Sequence, residues 1–242
     1  MNLSKQTVDI LKNFSTINAS IAVDVGNTLQ TMSAMKNILV KSTVEETFNT
    51  EFAIYDLSEF LNLSTSETFI GADFGFNNDY VDISKDRATS RYYYADRSTI
   101  VTPSKSITMP EAEIEFELKQ DDFSTIRNMS SVLAKPDMVL KGDSDSMVLS
   151  VFDKKDPTSN VFNLDVGDGN GDTFEMYFKG ENLKLLRGDY TVKISSKAIC
   201  QFTHNDIDLT YWISLEPESS YGQINILCVK NICGMKSICL RV

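Results

Sequence analysis

The run DVGDGNGD at residues 165–172 carries the alternating oxygen donors that can hold a calcium ion, because Asp168, Asn170 and Asp172 stand two apart as ligands of an EF-hand loop do. The remainder of the loop does not fit. Counted from Asp168, Thr173 stands where the sharp bend needs glycine, and Lys179 stands where the ion needs a bidentate glutamate. A turn between strands accounts for the run better. His204 is the only histidine, so a site built on two imidazoles is impossible, and nothing places a serine and a carboxylate beside it. Asp143 and Asp145 suit a hairpin turn, where aspartate bonds to nearby backbone. No glycine series precedes a Lys-Ser or Lys-Thr pair, so a phosphate-cradling loop is missing. Cys228, Cys233 and Cys239 lack the short paired ligand loops of a zinc site and have no histidine nearby. No convincing carboxylate pair suggests glycoside chemistry either. The expectation is a protein without metal, cofactor or catalytic apparatus.

What remains is charge. The chain of 242 residues has a net charge of −11, and the first 221 residues carry 20 basic against 34 acidic groups, or −14. Such a surface repels nucleic acid on average, unless its few cations are gathered in one place. An apolar share of 42% and an aromatic share of 10% are those of a folded globular chain. The length suggests two domains of roughly 110 residues. Polar residues interrupt every apolar run of MNLSKQTVDILKNF, and no stretch is long and apolar enough for a membrane span, so a cytoplasmic protein is expected. A single cysteine, Cys200, before residue 222 fits a reducing compartment.

The elements that must position those cations are duplicated. LSKQTVDILKNFST at residues 3–16 aligns with LKQDDFSTIRNMSS at 118–131, so that Leu11 meets Ile126, Lys12 meets Arg127 and Asn13 meets Asn128. FAIYDLSEFL at 52–61 resembles FEMYFKGENL at 174–183. Each copy reads as a helix, several strands, a second short helix and more strands. Leu3, Thr7, Ile10, Phe14 and Ile17 recur at helical spacing and leave Lys5, Asp9, Lys12 and Asn13 on another face. Short strands follow at SIAVDV, TLQTMSA and ILVKSTVEETFN, and in the later copy at MVLKG, SMVLSVFD, NVFNLDV, DTFEMYF, DYTVKIS and LTYWISL. This pattern predicts an α+β fold of antiparallel sheets with helices on one face. The expected boundaries are 1–97 for the first domain, 98–112 for a connector, 113–221 for the second domain and 222–242 for an atypical, acid-free tail. At the far end of the connector, Glu111, Glu113, Glu115 and Glu117 alternate with Ala112, Ile114, Phe116 and Leu118, which predicts a strand with one wet face.

Five stretches taken in order, LSKQTVDILKNFSTIN, FAIYDLSEFL, STIVTPSKSITMP, RGDYTVKIS and YWISLEPES, resemble the sliding clamp, or polymerase processivity factor, of T-even-like tailed phages. The resemblance covers about residues 1–221. It implies two similar clamp domains per chain and a head-to-tail homotrimer forming a ring, with helices lining the hole and sheets outside. It further implies non-specific encirclement of double-stranded DNA, tethering of the replicative DNA polymerase, loading by an ATP-dependent clamp loader, and a place in the cytoplasm of the infected bacterial host. A supporting role in late transcription belongs to the same implication. Combined with the helix faces, it assigns Lys5, Lys12, Lys119, Arg127, Lys179 and Lys184 to the DNA side, through phosphate contacts alone; the alternative for each is ordinary solvated surface. It places a partner-peptide groove at Thr102, Pro103, Ile107, Met109 and Pro110 of the connector, opposite Leu215, Glu216 and Pro217, against the alternative of a connector packed on its own domain. It puts the subunit interface near Tyr92, Tyr93 and Tyr94, of which at least one must be exposed if the segment is extended. A strand-rich virion structural protein is the competing reading, and it leaves the duplicated basic helix unexplained.

Overall fold

The structure, a computed structural model, describes residues 1–103 and 107–222; the expectations for the cysteine-bearing tail beyond that point lie outside the described residues. The first half runs α1 (Lys5–Ile17), β1 (Ile21–Val23), β2 (Gly26–Met32), β3 (Ile38–Phe48), β4 (Phe52–Ile54), α2 (Leu57–Ser64), β5 (Asp73–Phe76), β6 (Tyr80–Lys85) and β7 (Ala88–Tyr93). The second half opens with β8 (Ile114–Leu118) and continues through α3 (Gln120–Leu133), β9 (Asp137–Gly142), β10 (Ser146–Phe152), β11 (Phe162–Asp168), β12 (Phe174–Lys179), a 3-10 turn at Gly180–Asn182, β13 (Tyr190–Ser195), β14 (Ile199–His204), β15 (Leu209–Ser214) and β16 (Ser220–Tyr221). The order of the first half recurs in the second, with one correction to the sequence reading. The expected second helix of the later copy is only the 3-10 turn, opened by Gly180 and closed by Asn182, whose side-chain oxygen accepts from the Asn37 side-chain amide at 3.0 Å.

α1 forms because its apolar residues fall on one stripe. Thr7, Ile10, Leu11, Phe14 and Ile17 are buried, and Lys5 and Lys12 are exposed. Ser4 caps its N-terminus by accepting from the Thr7 amide at 3.2 Å. α3 is the sparer copy, burying only Phe123 and Ile126, and it ends where Ala134 turns left-handed at φ 51° just before Lys135 and Pro136. β8 has the wet acidic face its alternation predicts, with Glu115 and Glu117 outward and Ile114 and Leu118 buried. The run that mimics a calcium loop lies at the end of β11 and in the turn to β12. No helix among the described residues is long and apolar enough to cross a membrane.

All sheet pairing is antiparallel, and one pairing organises the rest. A six-stranded sheet runs β2-β3-β15-β14-β13-β8, so β3 of the first half lies directly against β15 of the second, with Ser42 opposite Leu209 and Ile38 opposite Ile213. A five-stranded sheet, β11-β10-β9-β12-β16, and a three-stranded sheet, β5-β6-β7, complete the two halves, and β1 pairs with β4. One core joins Ile10, Phe14, Val40, Tyr190 and Tyr211, each fully buried. A sheet that crosses the middle of the chain therefore fixes where the two long helices stand relative to each other.

The start of α1 is pinned by a buried carboxylate. Glu46 on β3 is 9% exposed and accepts from the Ser4 amide and the Thr7 hydroxyl. Burial pushes its carboxyl up, but those hydrogen bonds outweigh it and hold the group below the usual carboxylate range. A carboxyl lowered in the fold stabilises above its unfolded pKa and loses that contribution as pH falls through its folded pKa. Glu46→Gln is therefore expected to cost about 2 kcal/mol near neutrality, with variant and parent converging in acid; thermal melts from roughly pH 3 to pH 7 check this.

Candidate nucleic-acid interface

Three cations converge on one segment. Lys12, with Asp9 and Asn13 of α1, lines a shallow groove closed on its other side by Leu185, Leu186 and Arg187. Arg127, with Gln120, Phe123, Ser124, Asn128 and Ser131 of α3, lines a second groove against those same three residues. α1 and α3 thus flank a common ridge, and the recurrent Lys12 and Arg127 lie on one side of the protomer. Arg187 lies on the ridge between them and is exposed. It was missed in the sequence because it sits just before Gly188 in what reads as a turn; only the strand start at Tyr190 and the helix faces on either side give it a partner.

The ridge is held by hydrogen bonds from both halves of the chain. Asn13 of α1 donates to the Lys184 carbonyl at 2.8 Å and accepts from the Tyr211 hydroxyl at 2.8 Å. Tyr211 in turn accepts from the Leu186 amide at 3.1 Å, while Tyr190 donates to the Leu186 carbonyl at 2.6 Å. Burial raises both phenols well above their ordinary range, so they stay protonated donors at any working pH. The Gln120 side chain accepts from the Gly188 amide, and the Gln120 amide donates to Asp189 at 2.8 Å, a bond that holds the Asp189 carboxyl below its usual value.

His204 closes the other side. Its Nδ1 accepts from the Asp206 amide at 3.1 Å, which leaves Nε2 to carry the proton and donate to the Arg187 carbonyl at 3.1 Å. The imidazole occupies the space a side chain at position 188 would need: a Cβ there would lie 2.0 Å from Nε2, and Gly188 has φ +153°. The lone histidine is thus a structural clamp on the ridge. Cys200 is fully buried, and burial pushes its thiol up, which makes it an inert core residue.

The six cations assigned to the DNA side divide into three groups. Lys5, Lys12 and Arg127 are exposed and form no ion pair among the described residues. Lys119 immediately precedes α3 and pairs with Asp189 at 3.3 Å, and Lys184 donates to the Thr16 carbonyl at the end of α1, so both are partly spent on the ridge. Lys179 departs from its assignment. It ends β12 and pairs with Glu216 at 3.7 Å, beside the Lys154–Glu216 pair at 3.1 Å, because the expected helix that would have carried it inward is absent.

At the proposed groove, Thr102, Pro103, Ile107, Met109 and Pro110 are all half-buried. Leu215, expected on the other side of that groove, is only 6% exposed and belongs to the core, its amide bonding to the Ala198 carbonyl just past the end of β15; Glu216 is half-buried and Pro217 exposed. Of the three tyrosines, Tyr93 is 67% exposed, edge-on to Tyr80. Tyr92 reaches back to Glu59 at 3.2 Å, and Tyr94 stacks on Phe52. Alternation along β7 produces that division.

The family described as DNA polymerase processivity factor matches residues 4–102, and that described as gp45 sliding clamp, C terminal, matches residues 115–217. The sliding clamp of Vibrio phage KVP40 is 29% identical over 223 residues, spanning 89% of this chain and 99% of that protein. The sliding clamp of Enterobacteria phage T4 is 28% identical over 202 residues, 81% of this chain and 88% of that one. Among solved structures, A. fulgidus PCNA bound to the C-terminal region of FEN-1 superposes with a TM-score of 0.64 at 11% identity, covering 88% of this chain and 96% of that one. The Helicobacter pylori beta clamp bound to a DNA ligase peptide gives 0.62 at 11% identity, covering 89% and 64%. At such identities the structural likeness speaks to the fold alone.

Arg187 is exposed and forms no ion pair among the described residues, so Arg187→Ala is expected to change stability by less than about 0.5 kcal/mol. The same change should lower the salt dependence of duplex binding by about one phosphate contact per protomer, equally for all sequences. Melting curves and binding measured across a salt series on two unrelated duplexes check both parts.

Proposed function

This chain belongs to the phage DNA polymerase processivity factors, the gp45-type sliding clamps that encircle duplex DNA and tether a replicative polymerase, and from that premise we propose how its own residues do so. It assembles head to tail into a homotrimer, loaded by an ATP-dependent clamp loader in the cytoplasm of the infected host. Lys5, Lys12, Arg127 and Arg187 face the duplex. The observation that supports this most is the convergence of Lys12 and Arg127 on the ridge that carries Arg187, in a chain whose net charge is −11. Three cations on one face, without ion-pair partners among the described residues, meet phosphates without fixing any base.

The internal duplication supports the ring. Within the chain β3 pairs with β15. In the repeated order β11 corresponds to β3 and β7 to β15, and both are edge strands with free backbone donors and acceptors on one side. A long open edge invites pairing, and β7 of one chain against β11 of the next repeats the junction already made inside each chain. Tyr93, Arg91 and Tyr80 lie at the β7 margin, with the Arg91 guanidinium 3.8 Å from the Tyr80 ring centroid and paired to Asp82 at 2.8 Å. Two structural relatives described with a bound partner segment, one from FEN-1 and one from a DNA ligase, support a peptide-accepting groove at Thr102, Pro103, Ile107, Met109 and Pro110 with Glu216 and Pro217.

Sedimentation at micromolar concentration is expected to give a species of three chains, and addition to a phage polymerase on a circular primed template to lengthen its products when a loader is present. A chain that stays monomeric and leaves product length unchanged would refute the proposal. Reversing the charge of Lys12 and Arg127 together should abolish the gain in length while the trimer persists.

A further inference from the structure

The lock between the two halves of the chain has a second, unused copy. Asn13 crosses from the first half to the second, binding the Lys184 carbonyl and the Tyr211 hydroxyl at 2.8 Å each. Asn128 occupies the matching place on α3, follows a basic residue as Asn13 does, and is exposed on the open groove. Strand register identifies what would receive it. Val192 pairs with Phe202 and Phe202 with Tyr211; in the first half Phe74 pairs with Ile83 and Ile83 with Ser90. Ser90 therefore stands where Tyr211 stands, and the turn Ser66–Ile70, which leads into β5, stands where the ridge leads into β13. That turn is closed on itself by bonds to the Ser66 carbonyl at 2.9 and 3.0 Å and leaves Ile70 59% exposed.

Both halves of the missing lock lie behind open edges. α3 packs on β10 and β11, and the turn precedes the sheet whose edge is β7. When β7 meets β11 of a neighbour as β15 meets β3, α3 arrives at the turn as α1 arrives at the ridge. We propose that Asn128 docks on the Ser66–Ile70 turn of a second copy of this chain, repeating between subunits the bond that Asn13 makes within one. This rests on the ring reading above and assigns it a specific inner fastening. The two locks differ in strength. Tyr211 meets Asn13 with a phenol, whereas Ser90 carries only a short hydroxyl, and the Ser66 carbonyl that matches that of Lys184 already accepts from the Phe69 and Ile70 amides, so Asn128 shares that carbonyl with them and has no phenol to receive.

Asn128→Ala and Asn128→Asp, measured in the full chain, test this against Asn13→Ala. Each Asn128 variant is expected to melt like the parent as a protomer, because its side chain is solvated there, and to raise the trimer dissociation constant about 5-fold or more. Amides 67–71 should gain hydrogen-exchange protection when the parent assembles and lose it in Asn128→Ala. Asn13→Ala should lower the melting temperature of the protomer itself. Asn128 variants that assemble as tightly as the parent, with unaltered exchange at 67–71, overturn the lock while leaving the ring intact. A parent chain that never assembles overturns the ring reading, and the lock with it.

Discussion

The backbone pairing of β3 with β15 is the constraint on which the rest of the molecule depends. It turns two half-chains into one six-stranded sheet, and its ends are sealed by further cross-chain bonds: the Thr43 amide and the Ser42 hydroxyl to the Asp208 carbonyl at 3.0 and 2.7 Å, and the Ser214 amide to the Asn37 carbonyl at 3.0 Å. Because a one-residue slip would turn every buried side chain of β15 to solvent, the register is fixed by Leu209, Tyr211 and Ile213, all within 1% of full burial. With the register set, Tyr211 has one place to put its hydroxyl, and that place is beside Asn13. The position of α1 against the second half follows from a sheet, with the helix as the consequence.

Burying polar groups at such a junction costs free energy unless every one is paired. The ridge meets that condition through Asn13, Gln120, Tyr190, Tyr211 and His204, each bonded to ridge backbone or to a residue that is. The arrangement fixes the backbone of residues 184–189 while leaving the Arg187 side chain outside. A cation on a rigid base needs only its own rotamers ordered to meet a phosphate, and because several phosphates along a groove are nearly equivalent, moving between them breaks one weak contact as another forms.

Helix α1, β8 and most strands of the later copy were legible in the sequence because their burial period is regular and their ends carry turns. The buried set of α1 matches its predicted stripe, with Leu11 added and Leu3 left at the margin. Strands β5, β6 and β7 were not read individually: the first is four residues long and holds Gly75, and the last alternates half-buried with exposed residues, so neither offers a clean apolar face. The second helix of the later copy failed because FEMYFKGENL matches its counterpart in apolar positions but places Gly180 where the helix would start. The error propagated to Lys179, which was assigned by a helix that does not form. Arg187 was illegible for the opposite reason, since its surroundings come from α1 and α3, both far from it in sequence.

Net charge alone would exclude contact with DNA, and the distribution of ion pairs resolves the contradiction. Lys141, Lys154, Lys179, Lys193, Arg91 and Arg97 are each paired with carboxylates on sheet strands or the loops that join them. Exposed pairs of this kind add little stability, but they neutralise cations away from the helices and leave the surrounding surface acidic. Lys12, Arg127 and Arg187 carry no such partner among the described residues. Over a Debye length of about 8 Å at physiological salt, the potential at the ridge is set by those three cations together with Asp9 and Asp189 beside them, and little by carboxylates on the far sheets. A molecule built this way cannot hold DNA by adhesion from outside. In the proposed ring, enclosure retains the duplex, and weak contacts are what permit movement along the strand.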